Sequence, residues 1–142
     1  MNEMQNPRKP DSVQDALVAL MVATSLSDER GETSELITIN DVVDNLPIFA
    51  GYEVNRIRKV SLYVMDLFGS EDGLSTLFSD IRDVLPADFS ETAYALACDV
   101  VAGDGRLEQI ELRFLQEIRH ELNIDRLAAA AIERAAAARY RR

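Results

Sequence analysis

Slid by 76 residues against itself, the chain matches in two stretches without a gap. Asp28, Arg30, Glu32 and Glu35 fall on Asp104, Arg106, Glu108 and Glu111. The same register sets Ala19 on Ala95, Leu20 on Leu96, Leu46 on Leu122 and Ile48 on Ile124. A repeat that keeps apolar and acidic positions together predicts a duplicated helical hairpin, packed against its copy in pseudo-twofold fashion. Residues 12–46 and 88–122 are the two predicted hairpins, and they are expected to superpose. The acidic positions fall at the turn of each hairpin, where a carboxylate set can meet its copy.

Proline and glycine divide the chain into helical segments. Pro7 and Pro10 bar an early helix, so residues 1–10 read as a disordered tail and residues 11–142 as a single domain. Asp11 or Ser12 caps a first helix to about Leu26, with Leu17, Leu20, Met21 and Thr24 on one face. A second helix carries Leu36, Ile39, Val43 and Leu46 and stops at Pro47. A third, about Tyr52 to Phe68, has Ile57, Val60, Val64, Leu67 and Phe68 at helical spacing and ends at Gly69. A fourth holds Leu74, Leu77, Phe78, Ile81 and Leu85 and closes at Pro86. The second hairpin follows: a helix from Asp88 or Ser90 to about Val101, then one to Leu122 with Leu112, Leu115 and Ile118. Asp125 opens an alanine-rich helix to about Tyr140, which reads as peripheral because alanine propagates a helix but has little to bury. Nothing alternates with period two long enough for a strand. The predicted fold is all-α, a compact bundle of about seven helices.

Charge narrows the partners. The chain has 25 acidic and 15 basic residues, a formal net charge of −10. Residues 126–142 hold five Arg and one Glu, and residues 1–10 add one positive charge, so residues 11–125 carry −15. A body this acidic repels a phosphate backbone, which makes nucleic acid a poor partner except for the basic tail. The longest apolar stretch, Ala16 to Ala23, is far short of the ~20 residues a membrane-spanning helix needs. The N-terminus lacks an apolar signal region, so the expectation is a cytoplasmic protein. Cys98 is the sole cysteine; it lies in an apolar helical run and reads as a core thiol.

The acidic turns are the candidate site. Asp104, Gly105, Leu107 and Glu111 resemble the second half of a calcium-binding EF-hand loop. The first and third loop positions would then be Val100 and Ala102, which offer no side-chain oxygen, so a true EF-hand is excluded. The first hairpin has Thr24 and Leu26 there. Glu108 and Glu111 are three apart and share a helix face, as do Glu32 and Glu35, with Asp104 and Asp28 preceding them. Six carboxylates brought together repel unless protonated or neutralised by a hard cation, calcium or magnesium. The alternative is helix capping, because carboxylates in a first turn offset the unpaired N–H groups and the positive dipole end. Arg30 and Arg106 can also neutralise the cluster internally.

At these residues the chain resembles the tellurite-resistance TerB family and its wider TerB-like superfamily. The resemblance rests on a helix of small and apolar residues that ends in Ala-Gly-Asp-Gly-Arg-Leu-Glu at 102–108, on Glu111, and on Glu121-Leu122-Asn123-Ile124-Asp125. With the first hairpin it covers most of residues 12–125. It implies a compact all-helical stress-response protein, without enzymatic activity, that binds divalent metal through Asp28, Glu32, Glu35, Asp104, Glu108 and Glu111. It further implies other proteins as partners, in assemblies near the membrane. Asp28-Glu29-Arg30-Gly31 departs from the family's Asp-Gly turn, and the basic tail does not map onto the family.

Catalytic constellations are sparse. His120 is the single histidine and reads as a helix-end residue settled against the dipole. Arg56, Arg58 and Lys59 read as a solvated basic face, and Arg139, Arg141 and Arg142 as solubilising charge. The sequence therefore predicts a TerB-like, metal-binding stress protein. The alternative is a purely protein-binding helical scaffold whose acidic turns are caps.

Overall fold

The computed structural model describes residues 6–27, 33–103 and 111–141. Seven α-helices run in the order α1 (Val13–Ser27), α2 (Thr33–Asn45), α3 (Asn55–Phe68), α4 (Gly73–Val84), α5 (Ser90–Gly103), α6 (Glu111–Glu121) and α7 (Arg126–Arg139). The described residues contain no strand, so the all-α bundle expected from the periodicity is the fold. Two short 3-10 turns, Pro47–Phe49 and Ala87–Phe89, were not legible in the pattern. Each begins at or just after a proline that has ended a helix.

α1 and α5 are the two central helices. From Asp15 to Ser25 every residue of α1 is buried, because α2, α3, α4, α5 and α6 all pack against it. A helix that is apolar on all sides needs such a complete surround. α5 is covered by α1, α2, α6 and α7. Small side chains on both (Ala16, Ala19 and Ala23; Ala93 and Ala97) are buried and allow a close approach. Val60 and Val64 of α3 and Leu77, Phe78 and Ile81 of α4 complete the core on one side. α7 lies along α5 through Ala129 and Ala136, while its Leu127 stays 81% exposed.

The helix ends are built by local chemistry. At the start of α1, Ser12 Oγ accepts the Asp15 N–H at 3.1 Å, and the Asp15 carboxylate accepts the Asp11 N–H at 3.3 Å, an arrangement close to a capping box. Asp125 caps α7 by accepting from the N–H groups of Leu127 and Ala128, both at 3.1 Å. α6 ends on Asn123, at φ +55°. The Ile124 N–H returns to the Arg119 carbonyl at 2.9 Å and the Asn123 N–H to that of His120 at 3.3 Å. This is the Schellman arrangement, with asparagine in the left-handed position.

The 76-residue shift brings the described helix bounds near one another along the sequence, without establishing a duplicated fold. α1 moves onto 89–103, against α5 at Ser90–Gly103, and α2 onto 109–121, against α6 at Glu111–Glu121. The correspondence stops there, since nine residues separate α2 from α3 but only four separate α6 from α7.

Part of the N-terminal segment read as a tail is placed against the bundle. The Arg8 N–H donates to the Lys59 carbonyl at 3.1 Å, Lys9 Nζ lies 3.4 Å from the Asp80 carboxylate, and Pro10 is buried. Residues 6–10 thus lie beside α3 and α4.

Candidate functional site

α1 and α5 finish at the same end of the bundle. α5 finishes at Gly103, where a Cβ would come within 2.5 Å of Thr38 Oγ1 in α2. α1 finishes at Ser27, which lines a hollow with Phe114 of α6. Under the 76-residue shift Ser27 maps to Gly103 and Thr38 to Phe114. α5 thus ends against α2, and α1 ends at a hollow that α6 also lines. Close approach explains the glycine at 103, where any side chain would have to displace Thr38.

Of the six acidic residues singled out by the repeat, Asp28, Glu32, Asp104 and Glu108 lie outside the described residues. For Glu35 and Glu111 the backbone alone is described, and it is helical: Glu35 is in the first turn of α2, and Glu111 begins α6 as described. The side chains that would complete a cation cage are all of this set. Among the described residues no group of three or more His, Cys, Asp or Glu is gathered that could hold a metal ion.

An apolar groove opens at this end. Its walls are Leu67 and Phe68 at the end of α3, Leu74 at the start of α4, and Phe114 of α6, with Ser27 closing the α1 side. It consists of two adjoining hollows of about 290 and 260 Å3 that share Ser27, Leu74 and Phe114. Phe114 is held from behind by Phe78, with ring centroids 6.1 Å apart. The rim is polar, with Arg113 and Glu117 on α6 and Ser70 and Glu71 between α3 and α4. Periodicity marks Phe68 and Leu74 as core residues, yet they are 39% and 38% exposed because no other described element covers them.

A buried ionic cluster, which the sequence reading missed, ties α1 to α3. Asp15 is fully buried. Its carboxylate accepts from Tyr52 Oη at 2.7 Å and from the two guanidinium nitrogens of Arg56 at 3.1 and 2.6 Å. Arg56 also reaches Asp11 at 2.8 Å and stacks over the Tyr52 ring, 5.8 Å from its centroid. Burial by itself pushes the Asp15 pKa up, but the hydrogen bonds from Arg56, Tyr52 and Asp11 outweigh it and hold the carboxyl below its ordinary value. Tyr52 is shifted the other way, by burial and by the carboxylate it donates to. Arg56 is thus not a solvated-face residue, whereas its neighbour Arg58 is exposed. The single signal in the sequence was an aspartate set at the head of an otherwise apolar run. A polar hollow of about 390 Å3 lies beside this cluster, but its arginines are already neutralised by Asp11 and Asp15. We read the cluster as structural.

Several other titratable groups are tied into the fold. Cys98 is fully buried, and burial raises its thiol pKa to about 12, in keeping with a core residue. Tyr94 donates to Glu133, which Arg119 also approaches at 3.2 Å. Tyr63 donates to Asp80. Arg139 is paired with Asp99, which fixes α7 to α5 rather than leaving that charge free. No described helix is long and apolar enough to cross a membrane.

Compared with family models, with curated proteins and with solved structures, the chain gives no match.

Proposed function

We propose that the chain is a non-enzymatic, TerB-like stress-response protein of the cytoplasm that takes a divalent cation, calcium or magnesium, where its hairpin turns emerge. The reading is supported above all by the placement of the helix ends. Gly103 lies against Thr38, and Ser27 and Phe114 line one hollow, so the helices that precede the two acidic stretches finish at one end of the bundle. Asp28, Glu32 and Glu35 from one turn, and Asp104, Glu108 and Glu111 from the other, would hold the ion. The donor set is oxygen only, which suits a hard cation and not zinc. The ion's role is electrostatic, joining two acidic segments that would otherwise repel.

Thermal melts of Glu111→Gln with calcium and with chelator test this proposal. Crowded carboxylates destabilise the metal-free fold, so the variant is expected to melt higher than the native chain in chelator and to gain less from calcium. A capping carboxylate instead contributes ~0.3–1 kcal/mol to its helix, and its loss lowers the melting temperature in both buffers. That second outcome contradicts the cation site.

A second reading, a protein-binding helical module whose acidic turns are caps, is favoured by the apolar groove at the same end. The two are compatible if the turns hold a cation and the groove holds a partner.

A further inference from the structure

We propose that the groove between α3, α4 and α6 receives an amphipathic helix of a partner protein, one that carries lysine or arginine beside its apolar face. The inference rests on the protein-binding reading and names the chemistry of the partner.

The groove is formed before any partner arrives. Its floor, Phe114, is 8% exposed and backed by Phe78, so no core side chain has to move. Its walls carry Phe68 and Leu74, two of the five large apolar side chains exposed among the described residues. The two hollows adjoin and share Leu74 and Phe114. Residues four apart on a helix stand roughly 5–6 Å from one another, so consecutive anchors of one helix can enter neighbouring hollows.

Charge selects among amphipathic helices. Among the described lining residues, Glu71 and Glu117 are the acids and Arg113 the one base. The body from 11 to 125 carries −15. An acidic rim around an apolar floor attracts a basic flank and repels both an acidic helix and an anionic lipid surface.

The probes are two designed 16-residue peptides with the same leucine face at i, i+4 and i+7, one flanked by lysines and the other by glutamates. Fluorescence anisotropy in chelator follows their binding to the full chain and to Leu74→Glu and Phe68→Ser, both at half-exposed positions. The lysine peptide is expected to bind at least tenfold more tightly than the glutamate peptide, and to lose at least tenfold in either variant. Loss in Leu74→Glu is diagnostic, because the added negative charge strengthens any merely electrostatic attraction. Equal binding of the two peptides overturns the basic-partner inference and leaves the groove as a protein site. Binding of neither peptide, or lysine-peptide binding unchanged in both variants, overturns the groove itself. Sedimentation that finds the chain alone dimeric, with the dimer dissolved by Leu74→Glu, assigns the groove to a second copy and likewise overturns the proposal.

Discussion

Replacing Asp15 with alanine is expected to cost about 3 kcal/mol and to lower the melting temperature by about 10 °C. The carboxylate is fully buried and is the common acceptor for Tyr52 Oη, Arg56 and the Asp11 N–H. Removing it strands those donors and leaves the Arg56 guanidinium without its buried partner. Arg56 keeps Asp11 at 2.8 Å and retains 25% of its side-chain exposure, which holds the loss at the lower end of the range for a broken buried pair.

The sign of the pH dependence follows from the direction of the shift. Asp15 is held below its ordinary pKa in the folded chain, so the folded state binds its proton less readily than the unfolded state does. Its contribution is fully present above the unfolded value of about 3.9 and falls away as the pH drops toward the folded value. The stability gap between the native chain and Asp15→Asn, measured by urea unfolding, is therefore expected to be constant from pH 7 to about 5 and to narrow below about 4. A gap that widens on acidification contradicts the ionised cluster.

Gly73→Ala is expected to cost about 3 kcal/mol, whereas Gly69→Ala, four residues earlier in the same connection, is expected to be neutral or slightly stabilising. A Cβ at Gly73 would run into the Leu67 carbonyl, a backbone atom that cannot turn away as a side chain would. The connection between α3 and α4 would have to reopen, displacing Phe68 and Leu74. At Gly69 the nearest atom is the Asp66 carbonyl oxygen at 3.5 Å, an ordinary contact, and the backbone at φ −85° suits any residue. Parallel chemical denaturation of both variants checks the contrast; equal losses would show that the turn is not as tight as described.

The helices were legible because their apolar spacing and their proline and glycine stops are local. α3 and α4 show this well: Val60, Val64, Leu77 and Ile81 recur at helical intervals and all are buried. What spacing cannot report is which face finds a neighbour. Phe68 and Leu74 share the periodicity of the core and yet wall an open groove. Arg56 sits in a basic run that resembles a solvated face, and its partner Asp15 lies 41 residues away, a separation to which no local pattern is sensitive. The placement of residues 6–10 escaped notice for the same reason, since proline argues against helix but says nothing of docking. The acidic set at 28–35 and 104–111 was singled out through the repeat alone and lies mostly outside the described residues.

Calorimetric titration of calcium and of magnesium into the full chain tests the cation reading most directly, with a Glu108→Gln/Glu111→Gln double variant beside it. The account predicts weak binding of either ion to the native chain and none to the double variant, whose helical fold is intact by circular dichroism. No binding to the native chain, or heats unchanged in the double variant, contradicts a cation site at the hairpin turns.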